Sequence, residues 1–145
     1  MVMDSRATSR WEGNLAEGSG EVSMATGVGG VMNVSWPSRT ESAGGKTSPE
    51  ELIAAAHAAC FNMALSGGLG RDGFTPTSLE TTATASFEKV DAGWRLVRMA
   101  LKVVGDVPGI EDAAFVTAAT AAKEGCPVSN ALKGNVEITV ESSLV

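Results

Sequence analysis

The sequence predicts a single domain of mixed helix and strand. Three observations carry that expectation. Apolar and polar residues alternate through 79–89, 94–104 and 135–141, the period of a half-buried strand. Two alanine-rich stretches, 48–66 and 110–124, read instead as helices. A chain of 145 residues is long enough to bury most of its apolar surface around one core, so residues 1–145 are expected to form one domain.

Each element has its own signal. Residues 1–47 carry many glycines and short apolar pieces, "VSMAT" and "VMNVSW", which read as short strands joined by tight turns. "SAGGKT" at 42–47 is a flexible connection. In "SPEELIAAAHAACFNMAL", Ser48 can cap a helix, Pro49 suits its first position and Glu51 completes a capping box. That helix should end near Ser66, where "SGGLG" supplies glycines. Alanines 54, 55, 56, 58 and 59 cover most of its sides, which predicts burial on several faces.

Further on, Leu79, Ala83, Ala85 and Phe87 share one side of a strand, with Glu80, Thr82, Thr84, Ser86 and Glu88 opposite. After the "DAG" turn, Val97, Met99, Leu101 and Val103 share a face, so the two strands should form a hairpin. The 110–124 helix stops at Gly125. Pro127 opens a short helix to about Leu132, and Val136, Ile138 and Val140 mark a last strand.

Composition excludes several classes of partner. Eleven Lys and Arg against 17 Asp and Glu give a formal charge of −6, which opposes nonspecific attraction to nucleic acid or anionic lipid. No apolar run approaches the roughly 20 residues of a membrane span, and "MVMDSRATSRWEG" lacks a secretory h-region, so a cytoplasmic location is expected. "GVGG" at 27–30 lacks the Lys-Ser/Thr ending of a phosphate loop and reads as a turn. Trp11, Trp36 and Trp94 read as packing or rim residues.

The two cysteines carry the chemistry. A free cysteine is most often a small buried hydrophobe, and that reading applies to Cys60 taken alone. Cys126 differs, because it stands just before Pro127 at a helix start, where backbone N–H groups favour a thiolate. Two differently placed thiols suggest a redox pair.

With the motifs laid out, "TSPEELIAAAHAACFNMAL" and "EGCPVSNAL" together resemble the OsmC/Ohr family of thiol peroxidases, and "HAACF" resembles its OsmC branch. The resemblance extends through "RWEGNLAEGSG", "GGKTSPEEL" and "GNVEI". It implies an α+β OsmC-like fold in which antiparallel sheets wrap around central helices in an intertwined homodimer. The small residues of the alanine-rich helix would then serve its contact with a second copy.

The resemblance also implies a cofactor-free cycle. Cys60 matches the peroxidatic cysteine, attacking a hydroperoxide as a thiolate, and Cys126 the resolving cysteine that captures the resulting sulfenic acid as a disulfide. An external dithiol or a lipoylated protein would restore both thiols. Arg39 matches the arginine that stabilises the thiolate, and Glu50 the carboxylate that holds this arginine. The Ohr branch takes its arginine from nearer the N-terminus, which keeps Arg6 and Arg10 as alternatives.

Two other classes stay open from the residues. One is a binding or structural protein with both cysteines packed inside. The other is a thiol hydrolase or transferase using Cys60 with His57, three residues earlier on the same helix side, although a buried histidine more often makes one structural hydrogen bond. A metal site from Cys60, Cys126 and His57 lacks close spacing and a fourth ligand.

Overall fold

A computed structural model describes residues 1–145, which divide into two compact units, Met1–Pro49 and Glu50–Val145.

The N-terminal unit is a three-stranded antiparallel meander followed by one turn of helix. Its strands are β1 (Ala7–Glu12), β2 (Ser19–Met24) and β3 (Val31–Val34). Trp11 pairs with Gly20 across β1 and β2, and a Cβ on Gly20 would come within 2.8 Å of the indole ring, so only glycine lets the ring lie across the neighbouring strand. Helix α1 (Trp36–Thr40) starts at a capping box in which serine replaces the usual Glu or Gln. The Ser35 hydroxyl accepts from the Ser38 N–H at 3.2 Å, and the Ser38 hydroxyl from the Ser35 N–H at 3.1 Å. The box sets Arg39 in the last turn, with its guanidinium 5.4 Å from the Trp36 ring centroid.

The C-terminal unit is built on α2 (Pro49–Arg71), the hairpin strands β4 (Ser78–Val90) and β5 (Gly93–Asp106), α3 (Asp112–Gly125), α4 (Pro127–Leu132) and β6 (Glu137–Leu144). Its main cluster joins Phe61, Leu65 and Leu69 of α2 to Leu101 and Val103 of β5 and Phe115 of α3. Each of these fully buried side chains contributes roughly 1.5–3 kcal/mol by leaving water. Gly105 lets α3 come close: a Cβ there would sit 2.5 Å from the Phe115 ring.

The α+β content agrees with expectation, and four details differ. Helix α2 runs past Ser66 through its glycines to Arg71, because Leu65 and Leu69 continue the buried face begun at His57 and Phe61. It ends instead at Gly73, whose φ of 87° admits a Schellman closure: the Phe74 N–H donates to the Leu69 carbonyl at 2.9 Å and the Gly73 N–H to the Gly70 carbonyl at 3.2 Å.

The second difference is Val97. The register shifts between Ser86 and Phe87, pairing Ser86 with Arg98 but Phe87 with Leu96, so Val97 is an extra bulged residue. Beyond the bulge the parity inverts, and Leu96 packs on the core where Val97 was expected.

The third concerns the sheets, expected to be antiparallel. β5 pairs with β6 in parallel, because α3 and α4 form a helical crossover that returns the chain to the same end of the sheet. The second sheet is therefore mixed.

The fourth concerns α2 as a possible span. Its 23 residues reach a mean hydropathy of 1.4, long and apolar enough by length and composition to cross a membrane, contrary to the expectation that no run approaches that length. Its alanines, with Ile53, Phe61, Met63 and Leu65, raise the hydropathy while the charged side chains stay at the ends. Only 22% of the apolar window is buried within the chain, so burial on several faces is not met by one copy alone.

Candidate active site

Proline at 127 shapes the site. It disfavours helical backbone at the preceding residue, so Cys126 leaves the α region (φ −66°, ψ 125°), ends α3 and becomes the N-cap of α4. The side chain turns inward and is 0% exposed. Cys60 comes from the middle of α2, 66 positions earlier, and is only half-buried. It lines a groove of about 650 Å³ with Met63, Ala64, Gly67, Ala122 and Pro127.

The structure brings the two thiols together, both unbonded, near enough for each to set the other's protonation. Burial pushes the Cys60 thiol up, and its interaction with Cys126 adds to the rise against the Val128 N–H. At Cys126 burial also pushes up. It is outweighed by the Ser129 N–H, the Cys60 thiol, the Ser129 hydroxyl and the Val128 N–H, so the net shift is down. As a neutral thiol Cys126 makes no capping hydrogen bond, so those donors act on its thiolate. Of the two thiols, Cys126 is therefore the readier to ionise, and ionising Cys60 calls for added positive charge.

His57 is fully buried one turn before Cys60, and its Nε2 lies 2.7 Å from the Ser129 Oγ, also buried. This contact ties α2 to α4. The other ring nitrogen, Nδ1, has no partner, so neither nitrogen engages Cys60 and the expected alternative of a Cys60–His57 dyad lacks its hydrogen bond. Burial holds the imidazole below its ordinary value of 6.5, favouring the neutral form. No group of three or more His, Cys, Asp or Glu side chains converges as a metal would require.

The predicted charged residues lie on different elements. Glu50 is buried in the first turn of α2, ten residues before Cys60, which corresponds to about 15 Å of helix rise. Arg39 belongs to the N-terminal unit, on α1. Of its alternatives, Arg10 on β1 pairs with Glu12, and Arg6 lies 3.8 Å from Asp4.

Ser129 was not singled out in the sequence. Its only signal is position, three residues after Cys126 in "CPVSN", where a helix N3 residue faces back toward its cap.

The chain resembles several known proteins. Residues 42–141 match the OsmC family profile, described as OsmC-like protein. The chain is 47% identical to the Peroxiredoxin OsmC of Escherichia coli (strain K12), over 99% of each chain. It is 32% identical to an organic hydroperoxide resistance protein of Xanthomonas axonopodis pv. citri (strain 306), over 74% of this chain and 75% of that one. Among solved structures, the organic hydroperoxide resistance protein OhrB of Bacillus subtilis superposes with a TM-score of 0.79 at 26% identity, covering 97% of this chain and 98% of that one.

Proposed function

From the premise that the chain belongs to the OsmC family, we propose that it is a cysteine-based peroxidase that reduces organic hydroperoxides and, less effectively, hydrogen peroxide. The observation that carries this reading is the juxtaposition of two free thiols, one lining a groove and the other sealed behind it. Exposure supports the division of roles, with Cys60 open to peroxide and Cys126 closed to it.

In the proposed cycle the Cys60 thiolate attacks the O–O bond of the hydroperoxide. An alcohol leaves, or water from hydrogen peroxide, and Cys60 becomes a sulfenic acid. The Cys126 sulfur displaces the sulfenic hydroxyl as water and closes a disulfide. An external dithiol, free or carried as a lipoyl group on a protein, then reduces it. No cofactor enters the cycle, and a reducing compartment such as the cytoplasm suits it. The mainly apolar lining of the groove, in which Arg71 and Asp72 are the charged members, favours an organic peroxide over hydrogen peroxide.

Arg39 is proposed as the positive charge that ionises Cys60, with Glu50 orienting its guanidinium. About 15 Å of helix rise between Glu50 and Cys60 is too far for one guanidinium to touch both on the same α2. The reading is therefore an intertwined homodimer in which a partner subunit supplies the Arg39–Glu50 pair. The exposed face of α2, with Ala55, Ala56, Ala59, Ser66 and Gly67, supports close approach of a second copy. End-to-end coverage by solved relatives supports reading residues 1–145 as one OsmC-like domain.

The test is cumene hydroperoxide consumption with dithiothreitol. Cys60→Ser should lose turnover while keeping the parent's melting temperature, and consumption at the parent rate would overturn the assignment.

A further inference from the structure

The mechanism above makes no use of the most deeply buried titratable side chain, His57. We propose that the His57–Ser129 pair is a positioning device for Cys126: it aims the Ser129 hydroxyl proton at the Cys126 sulfur, so that Cys126 departs as a thiolate when an external dithiol attacks the disulfide at Cys60. This rests on the disulfide cycle proposed above and adds the direction of its reductive half.

The ring's two nitrogens have different surroundings. His57 is 0% and Ser129 3% exposed, and Nε2 lies 2.7 Å from Oγ. Nδ1 is buried with no partner. A proton on Nδ1 would leave an N–H donor stranded, which folded proteins avoid more strictly than a stranded acceptor. The neutral ring therefore carries its proton on Nε2 and donates it to Ser129 Oγ. With that lone pair occupied, the serine's own proton turns to its other neighbour, the Cys126 sulfur, where it stabilises negative charge. The charged side chains that share a hollow with Ser129 pair among themselves, with Glu124 at 3.3 Å from Lys123 and 3.7 Å from Lys133.

Access supplies the rest. Cys60 lines the groove, whereas Cys126 is sealed, so an incoming thiolate meets Cys60 first. A new S–S bond forms between the reductant and Cys60, the Cys60–Cys126 bond breaks, and its electron pair passes to Cys126. The reductant's second thiolate then attacks the mixed disulfide, releasing Cys60 as a thiolate and leaving the dithiol oxidised to its own disulfide. A disulfide opens faster when the departing thiol is the more acidic one.

The reductive step can be isolated by preparing the disulfide with diamide and reducing it with dithiothreitol. Ser129→Ala and His57→Leu should be reduced about tenfold more slowly than the parent, the effect of losing a hydrogen bond to a charged sulfur. Ser129→Thr, which keeps a hydroxyl, and His57→Gln, which keeps an N–H donor, should recover most of the rate. In a Cys60→Ser background, ultraviolet thiolate absorbance should show Cys126 titrating at higher pH after Ser129→Ala, a shift that packing damage alone would not produce. Reduction by 2-mercaptoethanol with iodoacetamide quenching should place the mixed disulfide on Cys60. A mixed disulfide on Cys126, or parent rates in Ser129→Ala, would overturn the proposal. Should hydroperoxide fail to form the disulfide while the diamide-made one still shows these rates, the peroxidase reading fails and the positioning role stands.

Discussion

Residues 1–49 bury only Gly20 and Ser35, while residues 50–145 build two hydrophobic clusters on Phe61, Leu65, Met99, Leu101 and Phe115. The difference teaches where each part of the chemistry can be held. Bringing two sulfurs together from distant positions needs a packed scaffold, and the C-terminal unit supplies one. The N-terminal unit carries Arg39 on a single helical turn that follows a sheet whose first strand is exposed throughout. A three-stranded sheet without a covered apolar face is marginal by itself, so the placement of this arginine depends on what the unit docks against.

The sharpest test mixes chains. Arg39→Ala and Cys60→Ser variants should each be inactive, yet unfolding and refolding them together should restore peroxide consumption if, as proposed, the arginine acts across a homodimer. Continued silence of the mixture would put both groups on one chain. A smaller effect is expected from Phe115→Ala, about 3–5 kcal/mol of stability lost in denaturant melts.

Two glycine substitutions compare the units directly. Gly105→Ala should cost about 1–3 kcal/mol, because its Cβ meets a fully buried phenyl ring. Gly20→Ala brings its Cβ against the Trp11 ring, which is 41% exposed, and against the half-buried Val34 side chain, and should cost less than Gly105→Ala. Equal losses would show the N-terminal sheet to be as tightly packed as the other.

The smallest effect concerns pH. Burial lowers the folded-state value of His57 below 6.5, so the unfolded chain takes up this proton first. The histidine's contribution is complete above pH 6.5 and is lost as the pH falls through the folded-state value. His57→Gln should flatten the decline of melting temperature over that acid range.

Much of this architecture was readable from local pattern. The hairpin, α3, α4 and the start of α2 follow from periodicity and proline, which act over a few residues. The failures share a cause, since each depends on contacts distant in sequence. Glycines 67, 68 and 70 read as a helix end until Leu69 is seen packing in the core, and the bulge at Val97 leaves no mark in an unbroken apolar alternation. The direction of β6 is set by the crossover before it. The sulfurs themselves were legible as motifs, but the link from His57 to Ser129 spans 72 positions and joins two residue types common in any surface helix.

The distance in sequence between Cys60 and Cys126 has a consequence for heat resistance. A bond between them closes a covalent ring of about 67 residues that includes the entire β4–β5 hairpin and α3. Such a ring restricts the random coil, and by chain-entropy reasoning it favours the folded state by about 4 kcal/mol. The oxidised form should therefore survive temperatures that melt the reduced one, making the molecule hardest to denature while its reducing power is spent.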